Sequence, residues 1–183
     1  VECPVCERKF RKFLSYGSDI AHRENVLCPY DLTLERHRLL WLYLKQSNFF
    51  SEKKINLLHI APEQCFYPIF KKQTNLNYTT ADLESPLADL HFDLHQIPLD
   101  ENSYDVIFCN HVLEHVEDYK FFINELERVS SKGYIELPTK LEDNLVFENK
   151  RDHLWQMDFD DDKSRLLISK KFQFMEPILT VSM

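Results

Sequence analysis

The chain has 183 residues, of which 44% are hydrophobic and 28% charged, a balance typical of one soluble globular domain with a small appendage. The formal net charge of −8 argues against nonspecific nucleic-acid binding, because neutralising phosphates requires a basic face. No apolar run approaches the roughly 20 residues that a membrane-spanning helix needs, and no secretory leader is visible.

Residues 1–33 are predicted to form a separate cysteine-rich module. Cys3 and Cys6 lie two residues apart, and Cys28 begins a second short turn. Three cysteines in this pattern suit a structural, tetrahedral zinc ion, with His22 or His37 among the candidates for a fourth ligand. The alternative is a degenerate turn without metal. The odd total of five cysteines argues against disulfides and predicts a reducing compartment, by default the cytoplasm.

From residue 34 onward the pattern is that of an α/β domain. An amphipathic helix over residues 34–44 is followed by strand 55–61, helix 63–72, strands 77–83, 90–94 and 104–110, helix 118–129 and strand 133–137. This succession predicts a Rossmann-like, doubly wound parallel sheet. Residues 34–183 would form this domain, in which residues 165–171 are predicted to be an edge strand.

Polar residues follow the predicted strands at the points where the strands end. The first strand ends at residues 59–63, the second at Asp82, the third at Asp93 and the fourth at Asn110 and His111. Because the carboxyl ends of parallel strands meet at one edge, where ligands bind in open α/β sheets, these residues predict a ligand site. A carboxylate at the end of the second strand suits the two hydroxyls of a ribose. The alternative is that these residues are polar only because strand ends meet water.

The segment DLHQIPLDENSYDVIFCNHVLEHVED, residues 93–118, resembles class I S-adenosylmethionine-dependent methyltransferases. It is most similar to the type 11-like branch, whose fourth strand ends in a HVLEHV segment. LLHIAPE, YTTADLES and GYIELP resemble the first, second and fifth strands of this family. Some members of the branch also carry an N-terminal cysteine-rich module and a helix similar to LERHRLLWLYL. The resemblance covers roughly residues 3–138.

The resemblance implies that the chain binds S-adenosylmethionine and transfers a methyl group to an unidentified acceptor, a small molecule or a macromolecule. It also places Asp31 where the family has a fourth cysteine, beside Cys3, Cys6 and Cys28. The cofactor would be held by residues at the strand ends: His59, Ala61 and Glu63 at the methionine part, Asp82 and Leu83 at the ribose, Asp93 and Leu94 at the adenine, and Asn110 and His111 near the sulfonium.

His111 and His115 are the candidates for acid–base catalysis on the acceptor. A helix that starts near Val112 would place the two histidines one turn apart, with Glu114 close by. A base is needed only if the acceptor must lose a proton as it reacts. The alternatives are that the histidines satisfy the loop after the fourth strand, or that they form a metal site with Glu114, for which the sequence shows no further ligand.

Two features favour a different interpretation, a catalytically inactive relative that binds a partner or acts as a scaffold. The chain has only two glycines, Gly17 and Gly133, and neither lies in the loop after the first strand. Nucleotide-binding folds usually need glycine in that loop, because the backbone must approach the ligand closely. The segment after the first strand is also short for a seven-stranded sheet, so the final strand pair is either abbreviated or missing from this chain.

Overall fold

The computed structural model describes residues 1–17, 22–51, 53–140, 143 and 152–171. None of the helices in these ranges combines the length and the apolar character needed to cross a membrane. A 3₁₀ turn covers Leu113–His115, and the other elements are β1 (Leu14–Tyr16), β2 (Arg23–Leu27), α1 (Glu35–Gln46), β3 (Ile55–Ile60), α2 (Tyr67–Phe70), β4 (Leu76–Asp82), β5 (Leu90–His91), β6 (Val106–Asn110), α3 (Tyr119–Val129), β7 (Gly133–Glu136), β8 (Trp155–Asp160) and β9 (Arg165–Lys170).

Five strands form a parallel sheet in the order β5-β4-β3-β6-β7. The central strand β3 pairs with β4, where Leu57 lies opposite Tyr78, and with β6, where Leu57 lies opposite Val106. The chain builds the sheet outward from β3 through β4 and β5, then returns past β3 to add β6 and β7. This reversal of direction defines a doubly wound, Rossmann-like sheet and confirms the fold predicted for this part of the chain.

Alternating side chains along β3 separate two hydrophobic cores. Leu58 and Ile60 face one cluster, to which α3 contributes Phe122. Leu57 faces the other cluster, to which α1 contributes Trp41. Because both faces are covered, the central strands are continuous apolar runs instead of an apolar–polar alternation.

The helix predicted for residues 63–72 is present only as Tyr67–Phe70. Pro68 has no N–H to donate, and in a helix its ring would clash with the carbonyl group four residues earlier. Proline is therefore favoured only in the first turn of a helix. The preceding residues form turns, in which the N–H groups of Phe66 and Tyr67 donate to the carbonyl of Glu63 at 3.0 and 3.1 Å. The predicted length is wrong because Pro68, and not Pro62, lies in the first turn of the helix.

The N-terminal residues fold around the antiparallel hairpin of β1 and β2. Cys3, Phe13 and Cys28 form its small core. The indole N–H of Trp41 donates to the carbonyl of Pro4 at 2.9 Å, so the first cysteine turn is attached to α1. The sequence did not predict this hairpin, because all three residues of β1 are exposed and no apolar pattern marks it.

β8 and β9 form a second antiparallel hairpin outside the parallel sheet, with Trp155 opposite Lys170. The strand predicted for residues 165–171 is therefore present, but it pairs with a strand that the sequence analysis left unassigned. The indole N–H of Trp155 donates to the carbonyl of Val116 at 2.8 Å. This bond fixes the hairpin to the turn that follows β6.

Candidate functional site

The carboxyl ends of the five parallel strands meet at one edge of the sheet, which we call the carboxyl edge. β4 ends there at Asp82 and β6 at Asn110. Glu136 ends β7 directly opposite Asn110 in the ladder and adds a third polar side chain. In sheets of this kind the loops and strand ends converge on one ligand.

The loop after β3 turns sharply at Ala61. Its φ is 51°, in the left-handed region that glycine usually occupies, and its N–H donates to the carbonyl of Ala81 at 2.9 Å. This conformation costs a non-glycine residue roughly 1 kcal/mol, and such strain is concentrated at functional sites. A methyl group is the smallest side chain an L-residue can place here, so Ala61 provides a turn for which nucleotide-binding folds usually use glycine.

Glu63 connects this loop to α1 and β6. Its Oε1 accepts a hydrogen bond from Arg36 at 2.9 Å and lies 2.7 Å from Nε2 of His37. Its Oε2 accepts from the side-chain amide of Asn110 at 2.8 Å. Burial would raise the pKa of Glu63, but the hydrogen bond to His37 and the charges of His37 and Arg36 hold that pKa at about 2. An ionised Glu63 therefore fixes both the loop and the orientation of the Asn110 amide.

Asp82 and Asp93 follow neighbouring strands at the same edge. Asp82 is half-buried, and its Oδ1 accepts from two backbone N–H groups of the next turn at 3.0 and 2.9 Å. Its other oxygen takes no part in these bonds. Asp93 is exposed, and hydrogen bonds from the backbone and ring of His95 lower its pKa. Leu83 is exposed and Leu94 half-buried beside these carboxylates, so the predicted ribose and adenine residues lie next to one another.

His111 lies between two carboxylates. Its Nδ1 is 3.3 Å from Oε1 of Glu114, and its Nε2 is 3.3 Å from Oε1 of Glu136. Burial would lower the pKa of His111, but its interactions with the two carboxylates raise it to about 9. A ring that is protonated at neutral pH has no lone pair with which to accept a proton. The arrangement therefore favours a positioning role for His111 over the role of general base.

The side chain of His59 lies in the core and not at the carboxyl edge. It is fully buried, with Nδ1 2.9 Å from the hydroxyl of Tyr78 and the ring among Phe70 and Phe108. Burial lowers the pKa of His59 to about 4, although the charge of Glu63 opposes this, so the ring is neutral. The structure thus places this side chain on the face of the sheet that α1 and α2 cover, away from the position predicted for a cofactor contact.

His115 lies beyond β6, in contact with a residue that the sequence analysis did not connect to it. Its ring is perpendicular to that of His153, with 4.6 Å between the ring centroids. Potential ligand atoms of Glu114, His115 and His153 all lie within 4.8 Å of one another. The helix predicted to start near Val112 is only a 3₁₀ turn, and its last residue is His115.

Four potential metal ligands converge in the N-terminal module. Ligand atoms of Cys3, Cys6, Cys28 and Asp31 lie within 4.8 Å of one another. The Cys3 thiol donates to Oδ2 of Asp31 at 3.2 Å, and the sulfurs of Cys6 and Cys28 are 3.8 Å apart. Oδ1 of Asp31 accepts from the N–H and the hydroxyl of Thr33 at 2.9 and 2.6 Å, which leaves Oδ2 directed at the sulfurs.

An open depression lies at the opposite, amino-terminal edge of the sheet. Its lining includes Phe50, Lys54 and Asn75, from the segments before β3 and β4. No carboxylate, histidine or cysteine is among the residues that line it. The groups that could hold or process a ligand are at the carboxyl edge instead, so we assign the candidate site there.

Residues 56–135 match the family model of the methyltransferase domain. The match extends from β3 to β7 and includes Glu63, Asp82 and His111, which lie at the carboxyl edge. This match agrees with the resemblance to class I S-adenosylmethionine-dependent methyltransferases that the sequence shows. The matched segment coincides with the parallel sheet, and the N-terminal cysteines and the β8–β9 hairpin lie outside the matched residues.

Solved structures resemble the chain at low sequence identity. The [4+2]-cyclase SpnF is 13% identical, with a TM-score of 0.44, over 66% of this chain and 48% of its own. A candidate methyltransferase from Bacillus halodurans C-125 is 18% identical, with a TM-score of 0.42, over 59% of this chain and 58% of its own. A methyltransferase from Aquifex aeolicus is 17% identical, with a TM-score of 0.40, over 62% of this chain and 79% of its own.

The chain thus spans only about half of the SpnF chain and three-fifths of the Bacillus halodurans chain. At these TM-scores the superpositions add nothing to the assignment, which depends on the family match and the strand order. The search of curated proteins found no match.

Sequence reasoning missed three residues of the site: Arg36, His37 and Glu136. Arg36 is on the polar side of a helix that precedes the sheet and His37 is buried on the other side, and nothing in their pattern indicates a contact with Glu63. Glu136 could have been found, because it ends the fifth strand just as Asn110 ends the fourth. The contact of His153 with His115 has no signal in the sequence, because His153 lies in a segment without a predicted element.

Proposed function

We propose that this chain transfers a methyl group from S-adenosylmethionine to an acceptor, with the cofactor bound at the carboxyl edge. One observation carries the proposal: the methyltransferase domain has Asp82, Asp93 and Asn110 together at the edge where doubly wound sheets bind ligands. The rival interpretation, an inactive relative, was based largely on the missing glycines. The left-handed turn at Ala61 weakens that reason, because it supplies the same backbone conformation.

The residues at this edge fit the cofactor. Asp82 has a carboxylate oxygen outside its turn bonds that can accept from the ribose hydroxyls. Asn110 has a buried Oδ1 without a hydrogen-bond partner among the described residues, and an ammonium donor would satisfy it. We assign the remaining contacts to the loop of Ala61 and Glu63 at the methionine part, to Leu83 beside the ribose, and to Asp93 and Leu94 at the adenine.

The charge of this edge also suits the cofactor. S-adenosylmethionine, when bound, supplies a methyl group on a cationic sulfonium, and a negative field stabilises a cation. Carboxylates outnumber the cations Arg36 and His111 here, since the edge carries Glu63, Asp82, Asp93, Glu114 and Glu136. His111, held between two of these carboxylates, would orient the floor of the pocket beneath the acceptor. His115 is exposed and is the candidate of the two for proton transfer to or from the acceptor.

Calorimetric titration of the full chain with S-adenosylmethionine and S-adenosylhomocysteine tests this proposal. Asp82→Asn keeps an oxygen for the turn bonds but loses the charge, so we expect affinity to fall by about 10- to 100-fold, the loss of one charge-assisted hydrogen bond. Asp100→Asn is the matched control, because it removes an exposed carboxylate from a loop away from this edge. Absence of binding to the folded wild-type protein at millimolar ligand would exclude the proposal, and equal affinities for Asp82→Asn and the control would exclude the assigned ribose site.

We also propose that residues 1–33 form a zinc-binding module that precedes the domain of residues 34–183. The convergence of Cys3, Cys6, Cys28 and Asp31 supports it, since three sulfurs and one carboxylate oxygen make a four-ligand set for a structural zinc ion. His37, an alternative fourth ligand, contacts Glu63 instead.

A further inference from the structure

We propose that Glu114, His115 and His153 form a second metal site, separate from the cysteine cluster and adjacent to the carboxyl edge. The ion would be divalent and would prefer nitrogen and oxygen ligands, as Mn²⁺ and Fe²⁺ do. The site does not depend on cofactor binding, because its ligands are distinct from the residues assigned to S-adenosylmethionine, and an ion bound to His115 would replace the proton-transfer role proposed for that ring.

Glu114 provides the strongest reason for this site. Its side chain is fully buried, and neither carboxylate oxygen has a hydrogen-bond partner among the described residues. The ring of His111 is 3.3 Å from Oε1, close enough for charge attraction but without the geometry of a hydrogen bond. Glu114 therefore has His111 as an ionic partner, but both of its buried oxygens lack a hydrogen-bond partner among the described residues and could still bind a metal ion. Its oxygens point into the same small volume as the rings of His115 and His153.

Both histidines are oriented through the same ring nitrogen. Nδ1 of His153 lies 2.5 Å from Oδ1 of Asp143, and Nδ1 of His115 lies 3.0 Å from the backbone carbonyl of Asp152. A carbonyl or carboxylate oxygen can only accept, so each Nδ1 donates to it. In the neutral ring the lone pair is then on Nε2. Metal-binding histidines typically show this arrangement, in which a carboxylate or a carbonyl fixes the tautomer and the ring orientation.

The fold brings the third ligand to the other two by direct backbone contacts. The N–H of Leu154 donates to the carbonyl of Glu114 at 2.8 Å, and Trp155 bonds the carbonyl of Val116. His153 is therefore held across the 3₁₀ turn. Metal–ligand bonds of about 2.1 Å require ligand atoms about 3–3.5 Å apart, so the present separations of up to 4.8 Å need small side-chain rotations. The solvent exposure of His115 leaves room for such a rotation.

Three protein ligands leave coordination positions open, as in catalytic metal sites. A water molecule or an oxygen of the acceptor could occupy them. The sequence raised a metal site of His111, Glu114 and His115 only as an alternative, because it showed no further ligand. The fold instead combines two of these residues with His153, which is 38 positions from His115 in the sequence.

Mn²⁺ uptake by the full chain tests the site, because the electron paramagnetic resonance signal of free Mn²⁺ is lost on binding and thiolates are poor ligands for this ion. We expect wild-type protein to bind one Mn²⁺ per chain in saturable fashion. His115→Asn and His153→Asn should each weaken binding by about tenfold or more, and Asp143→Asn by about tenfold, because it releases the His153 ring. His91→Asn removes an exposed imidazole that belongs to neither metal cluster and is the control, with unchanged binding.

A second measurement covers the buried ligand. Glu114→Gln removes the charged ligand, so the melting temperature of this variant should gain nothing from Mn²⁺, whereas that of the wild type should rise. Absence of saturable uptake by the folded wild type would overturn the proposal. So would wild-type affinity in His115→Asn, an exposed position whose replacement leaves the fold intact, or uptake that is lost in Cys3→Ser. Because Mn²⁺ uptake is measured without S-adenosylmethionine, the result is independent of cofactor binding.

Discussion

Glu63 joins three parts of the molecule that are far apart in the sequence. Its carboxylate contacts Arg36 and His37 of α1 as well as Asn110 at the end of β6. Only 15% of its side chain is exposed, so solvent screens these contacts weakly. Removing one member of such a buried group leaves the charges of its partners uncompensated. The resulting loss of unfolding free energy usually exceeds the stability that the intact interaction contributes.

We expect Glu63→Gln to lower the free energy of unfolding at neutral pH by about 2–3 kcal/mol, because Arg36 and His37 lose their charged acceptor. Urea unfolding of the two proteins measures the difference. Glu101→Gln is the control, since Glu101 is exposed and its replacement should change stability by less than about 0.5 kcal/mol. Equal effects of the two substitutions would contradict a structural role for the Glu63 cluster.

The same substitution should also change the response to acid. The pKa of Glu63 in the folded protein is about 2, below the ordinary value of 4.5, so its contribution is complete above pH 4.5 and is lost as the pH falls towards 2. The difference in unfolding free energy between wild type and Glu63→Gln should therefore shrink across this range. A difference that is constant from pH 5 to pH 2 would show that the carboxylate is not held ionised by its neighbours.

The residue types at the carboxyl edge could be predicted, but their orientations and partners could not. Asp82 and Asn110 followed from the rule that strands of a doubly wound sheet end at the ligand. His59 was predicted at the same edge because it is polar. Side chains alternate along a strand, however, and Ile60 faces the α3 side, so His59 must face α1 and α2. The contact of Arg36 with Glu136 spans 100 residues of sequence and depends on the folded register.

At the scale of elements, α3 begins with a side-chain cap. Oδ1 of Asp118 accepts from the N–H of Phe121 at 3.0 Å and satisfies one of the unpaired donors in the first turn. The helix buries Phe122, Leu126 and Val129 against the sheet, so fraying of its start weakens the core.

Asp118→Ala should lower the free energy of unfolding by about 1 kcal/mol, the usual loss for an N-cap aspartate. Glu117→Ala, at the exposed preceding position, makes no such bond and should have an effect within about 0.5 kcal/mol. Chemical denaturation of both variants measures the difference. If Glu117→Ala were the more damaging, the helix would be stabilised by charge near its N-terminus and not by the cap.

Elements with a wide buried face could be predicted from the sequence, and the two antiparallel hairpins largely could not. Three elements combine a run or a helical face of apolar residues with polar or turn-forming residues at their ends: β3, β6 and α3. The structure has each of them within two residues of the expected bounds. The β1–β2 hairpin has few buried side chains, so its sequence lacks a period. The β8–β9 hairpin is also largely exposed, and only its second strand was expected.

At the scale of the whole molecule, α1 couples the N-terminal module to the carboxyl edge. On one side Trp41 bonds the carbonyl of Pro4, and Lys45 lies 3.2 Å from Oε1 of Glu7. On the other side, the same helix directs Arg36 to Glu63. A change in the cysteine turn that shifts α1 would therefore reach the loop after β3, and we expect the module and the sheet to unfold together.

Zinc removal tests this coupling. An ion that binds only the folded state stabilises it by about 2.7 kcal/mol at one hundred times its dissociation constant. We expect zinc to raise the melting temperature of the wild-type chain in a single cooperative transition, and Cys28→Ser to abolish this rise. Cys65→Ser is the control, since Cys65 lies in the α1 core outside the cluster: it should lower stability but keep the zinc-dependent rise. A wild type insensitive to zinc and to chelators would identify a metal-free turn, and a separate early transition would show that α1 does not couple the two parts.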